Sequence, residues 1–178
     1  MYQQIIKFWF EDINKSQWFK KDGNFDRLII SKFSEIHNQA TKGELFAWRK
    51  TSLGMLAEII ILDQFSRNMF RDQPKSFAYD GLALVLAQTA IATGYDLQLN
   101  AEQRRFLYMP FMHSESLLIH RQALKLFTEL GIEESLYFEQ RHMFIIEKFG
   151  RYPHRNKLEG RTSTDVEIAF LKQPGSSF

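Results

Sequence analysis

The stretch from Leu53 to Phe70, LGMLAEIIILDQFSRNMF, constrains the fold more than any other part of the chain. At about 100° per residue, Leu56, Ile59, Ile60 and Phe70 fall on one side, and Ile61, Leu62, Phe65 and Met69 broadly on the other. A surface helix shows one apolar stripe, whereas a helix apolar all round is buried between neighbours. This one also carries Glu58, Asp63, Arg67 and Asn68. Asp63 and Arg67 stand at i and i+4, close enough to pair. A central helix with charged groups either locks a core or lines a cavity.

The flanking segments supply its neighbours. Residues 2–10 predict a short amphipathic helix, and 25–42 a second, ended by Gly43 in the left-handed region that favours glycine. Thr51 or Ser52 suits the N-cap of the central helix. Helical spacing continues over 79–93 up to Gly94, and Asn100 with Gln103 reads as a capping box for the next helix, which Pro110 ends or kinks. Ser114 is the expected cap of a helix reaching Leu130 before Gly131. Residues 135–149 follow, closed by Gly150, and Thr164 with Glu167 opens a last helix to Leu171. About eight helices with short links and no strand predict an all-α fold of antiparallel pairs, as a single domain over 1–178.

Composition narrows the function classes. Seventeen Phe and 44% apolar residues are enough for a large aromatic core. The absence of Cys excludes disulfides, thiolate metal sites and thiol chemistry. With no cleavable leader and no apolar run near the ~20 residues that span a bilayer, a soluble, cytoplasmic protein without membrane partners is expected. Net charge is only +2, yet residues 141–161 hold six Lys/Arg against two Asp/Glu. One short basic patch on a near-neutral chain argues against nucleic acid as partner.

Several strings resemble the family called domain of unknown function 924: DQFSRN (63–68), RRFLYMPFMHSE (104–115), FGRYPHRN (149–156), GRTST (160–164) and PGSSF (174–178). The resemblance spans the chain. It implies a tetratricopeptide-like arrangement of helical hairpins and no particular activity. Tyr152 stands where many members have Phe, and Met112 where some have Glu.

Three constellations are candidate sites, each with a structural alternative. Asp63, Arg67 and Asn68 form either a pocket wall or a buried ion pair that specifies packing. Arg105, Tyr108, His113, Ser114 and Glu115 stand where one helix ends and the next begins, an anion-binding position or a plain cap. Arg151, His154, Arg155 and Asn156 offer planar donors suited to carboxylate or phosphate, or else pair with helix ends and acidic neighbours. His120 and His142 read as core histidines.

Neither H-E-x-x-H, G-x-S-x-G, a P-loop nor a dinucleotide fingerprint occurs, and Glu139-x-x-His142 lacks the second copy that a di-iron bundle needs. No cofactor and no metal site is expected. His113, Glu115, His142 and His154 could meet around an ion only through folding. The resulting expectation is a pocket of Asp63, Arg67, Asn68, Arg105, Tyr108, His113, Arg151, His154, Arg155 and Asn156 that takes a small anionic molecule or acidic peptide end. An enzyme using His113 or His154 as acid/base, or a protein-interaction scaffold, is the alternative. Phe178 is expected to fold back, its ring in the core and its carboxylate on a cation.

Overall fold

In this computed structural model, which describes residues 1–177, α1 (Tyr2–Lys7) widens into a π turn at Phe8–Asp12. Helix α2 (Gly23–Thr41) is capped by the Asp22 carboxylate, which accepts from Asn24 N and Phe25 N. The apolar stretch then forms α3 (Ser52–Ile60), a π turn at Ile61–Phe65 and α4 (Ser66–Met69), one continuous helix. Thr51 Oγ1 accepts from Gly54 N at 3.1 Å and starts it. Gly54 is required there, because a Cβ would lie 2.1 Å from the Trp48 carbonyl oxygen.

The remaining helices are α5 (Asp80–Ala92), α6 (Ala101–Met112), α7 (Leu117–Leu130), α8 (Glu133–Phe149) and α9 (Asp165–Leu171). With α3 and α4 joined, they make eight helices among the described residues, and no strand. Both predicted capping boxes form, Asn100 with Gln103 and Thr164 with Glu167.

Two local expectations change. Pro110 does not end α6, which runs on to Met112. Ser114 is not the cap of α7: its Oγ accepts from Ser116 N, and Ser116 occupies the N-cap without a side-chain bond.

The central helix is enclosed as its all-round apolarity requires. Helices α1, α5 and α6 pack on α3, and α2 packs on α4 and the π turn. Leu56, Ile59, Ile60, Ile61, Leu62 and Phe65 are completely buried, each contributing roughly 1.5–3 kcal/mol. Phe65 meets Phe33 at 5.0 Å and Trp9 at 5.6 Å between ring centres. On the far side α6, α7 and α8 follow as neighbours through short links, so hairpins flank a wrapped central helix.

The segment after α9 turns back. Arg141 on α8 donates to the Gly175 carbonyl at 2.9 Å, and Ser176 Oγ donates to the Leu171 carbonyl at 3.1 Å. The expectation for Phe178 lies outside the described residues.

Candidate functional site

The π turn places Asp63 where a regular helix would not. A π turn carries one extra residue per turn and recurs at functional sites. Here Asp63 is fully buried. Its carboxylate accepts from His113 Nδ1 at 2.7 Å, Arg67 Nη1 at 3.0 Å and Gln64 Nε2 at 2.5 Å. Burial alone would raise its pKa, but the charge of Arg67 and the His113 contact hold the carboxyl well below the usual range. Asp63 is therefore a fixed anion.

Arg67 bridges to a second carboxylate. Its two Nη atoms each reach Asp80 at 2.9 Å, in the first turn of α5, and Nη1 also donates to the Asp63 carbonyl. Arg155 completes the network, with Nη1 on Asp80 and Nη2 on the His113 carbonyl, both at 3.1 Å. Its guanidinium lies 4.3 Å from the Phe77 ring centre and 4.7 Å from that of Tyr152. Such stacking suits the planar, weakly hydrated cation. Arg155 Nε is buried with no partner among the described residues.

Arg67, His113 and Arg155 of this network line a cavity of about 620 Å³, within the range of small-molecule sites. Its cationic lining comes from Lys20, Lys21, Arg67, Arg71, Arg105 and Arg155, against the carboxylates Asp72 and Glu134. Trp18, Phe19, Phe77, Phe127, Phe138 and Tyr152 supply the aromatic walls. Asp26, Asp63 and Asp80 pair with the arginines from behind, outside the lining.

Three imidazoles face this space: His113, His142 and His154. Burial and then Arg67 lower the pKa of His113 in spite of Asp63. His142 Nδ1 donates to the Phe138 carbonyl at 2.7 Å, and burial pushes its pKa well below the ordinary value. Burial, then Arg155, lowers His154 to about 4. All three are neutral at pH 7. Among the described residues no three His, Cys, Asp or Glu side chains could hold a metal ion.

The structure thus divides the expected site residues. Asp63, Arg67, His113, His154 and Arg155 come together. Asn68 and Arg105 also line the cavity, Asn68 holding Asp26 of α2 at 2.9 Å. Three others point elsewhere. Tyr108 donates to Asp96 at 2.7 Å. Arg151 clasps Glu167 at 2.7 and 2.8 Å and the Thr162 carbonyl, tying its loop to α9. Asn156 Nδ2 donates to Ser163 Oγ, closing the same loop. Expecting Arg151 and Arg155 to hold one anion together is therefore corrected, since both guanidinium groups have protein carboxylates.

Asp80 and Phe77 were not expected at the site, and Tyr152 only as a member of the 151–156 loop. An acidic residue opening a helix reads as a complement to the helix dipole, and nothing local announces its pairing with Arg67 and Arg155.

Comparison with known proteins decides the relationship. The profile of a family described as bacterial protein of unknown function, DUF924, matches residues 5–175. The chain belongs to this family. The DUF924 fold is also seen in a solved structure of a protein of unknown function, ATU0120 from Agrobacterium tumefaciens. That protein is 35% identical, with 96% of each chain covered and a TM-score of 0.92. No curated protein matches.

Proposed function

We propose that the cavity of this DUF924 chain is an enzymatic site for a small anionic molecule with an apolar body, and that His113 is its general base. The observation that carries the reading is the Asp63–His113 pair at the cavity wall, 2.7 Å apart. Because Asp63 is an anion, Nδ1 carries the hydrogen. Nε2 is then the lone-pair nitrogen, on a ring that lines the cavity.

A neutral imidazole so held can take a proton from a bound water or from the substrate at Nε2. Asp63 fixes the tautomer and stabilises the imidazolium without becoming protonated. Arg155 Nε offers a preorganised donor beside the same wall for negative charge that develops as the proton leaves. The cations of the lining, with their counter-charges set behind, favour an anionic substrate, and the aromatic walls favour its apolar part.

The test is turnover in a bacterial metabolite extract followed by mass spectrometry. An anionic metabolite consumed by the wild type should be processed about 10²–10⁴-fold more slowly by His113→Gln. ¹⁵N-imidazole spectra should show the Nδ1–H tautomer, lost in Asp63→Asn. Equal consumption by His113→Gln would overturn the assignment.

A further inference from the structure

The end of the cavity away from His113 contains two buried polar groups that the protein itself leaves unanswered. Ser135, in the first turn of α8, is 1% exposed and lines the cavity, yet its Oγ has no hydrogen-bond partner among the described residues. A buried hydroxyl without a partner is unfavourable and needs an explanation. Arg105, on α6, lines the same cavity, and its Nε is likewise buried without a partner. The two belong to one locality, because Arg105 Nη2 reaches Glu134, the residue before Ser135, at 3.1 Å. Helix α8 also begins without a side-chain cap, with Glu133 and Glu134 in its first turn.

We infer that Arg105 and Ser135 form a carboxylate subsite, and that the ligand of this cavity is an apolar-bodied carboxylic acid lying along α6 with its other end at His113. The inference rests on the reading of the cavity given above and names the ligand's anionic group. Arg105 supplies planar, charged N–H donors and Ser135 an O–H, a set suited to carboxylate oxygens. Glu134 competes for one Arg105 nitrogen, but its side chain is 63% exposed and can turn to water when a carboxylate takes over the donor. Phe19, whose ring centre lies 5.0 Å from the guanidinium, holds Arg105 in place.

The spacing sets the ligand's length. Positions 105 and 113 are eight residues apart at about 1.5 Å rise each, roughly 12 Å along the axis. Met109 and Met112, on the intervening turns, line the cavity. Their flexible thioethers adapt to an aromatic or aliphatic body.

The experiment uses 4-phenylbutyrate, its amide and 4-phenylbutanol as probes on the full chain labelled at the methionine methyl groups. The expected result is a shift of the Met109 and Met112 methyl signals, with the carboxylate bound at least 10-fold more tightly than the amide or alcohol. Ser135→Ala and Arg105→Gln should each erase that preference. Ser135→Ala should do so while melting at or above the wild-type temperature, because it deletes a hydroxyl that folding leaves unpaired. That combination separates a binding role from a structural one. Equal binding of carboxylate and amide, a preference that survives both substitutions, or no binding of any probe would overturn the subsite. The general-base reading is judged on turnover, so either result can fail without the other.

Discussion

Two carboxylate–histidine pairs in this molecule differ in what surrounds them. In both, a ring Nδ1 meets a carboxylate oxygen at 2.7 Å: His113 on Asp63, and His120 on Glu139. The second pair is sealed, with both side chains completely buried. His120 Nε2 donates to the Ser114 carbonyl at 2.8 Å, so both of its nitrogens are occupied. Burial raises the pKa of Glu139, and the His120 contact offsets this only in part. The first pair has Arg67 against its carboxylate and a cavity against its imidazole. The same two kinds of side chain thus join α7 to α8 in one place and border a cavity in the other. Access and a third charged partner make the difference.

The largest effect should come from opening the sealed pair. His120→Ala leaves Glu139 buried opposite a void and should cost about 3–5 kcal/mol in urea unfolding. The double variant His120→Leu with Glu139→Leu should recover much of that loss, since an apolar pair needs no desolvation. A double variant as unstable as the single one would show that the pair does more than join helices.

Acid should separate the two environments next. His37 and His154 are depressed to about 4, chiefly by burial, and burial also lowers His142. Below about pH 6.5 the unfolded chain binds protons that the folded chain refuses. Stability is therefore full above pH 6.5, falls as pH drops towards 4, and loses roughly 3 kcal/mol per group at most. Asp63, also depressed, acts in the same direction at still lower pH. Calorimetry at pH 7, 5.5 and 4 reads the slope; constant stability over that range would contradict the neutral, buried assignment.

Asp63→Ala should destabilise by about 2–3 kcal/mol, less than the sealed pair, because Arg67 keeps Asp80. Arg151→Ala should shift the urea midpoint less than Asp63→Ala does, because Arg151 is 29% exposed and Glu167 keeps the Thr164 backbone N–H. Equal midpoints with unchanged slopes would end that distinction. Smallest of all, His113→Gln should change stability by less than about 1 kcal/mol while slowing turnover about 10²–10⁴-fold. A large loss of stability would make His113 another His120.

Much of the fold was legible because its signals are local. The all-round apolarity of 53–70, the Asn100 and Thr164 capping boxes, and glycines with positive φ at 43, 94, 131 and 150 each act within a turn or two. Of the two expectations for Pro110, an end or a kink, the end fails because the ring removes one donor while a buried α6 retains its other bonds and its packing. The site was legible in part. Asp63 and Arg67 declare themselves at i and i+4, but Arg151 and Arg155, four residues apart, go to different carboxylates on different elements.

The sequence by itself determined an all-helical chain built on one buried helix carrying Asp63 and Arg67, because helical periodicity and capping depend on neighbours a few residues away. Tertiary structure decided which histidine faces a cavity and which is sealed. His113 meets an aspartate 50 positions back, and His120 a glutamate 19 positions ahead. The local sequence set His120 on an apolar stripe and His113 at a helix end, but it named neither carboxylate partner. Burial, and with it the charge state of an imidazole, is set by the elements packed around it.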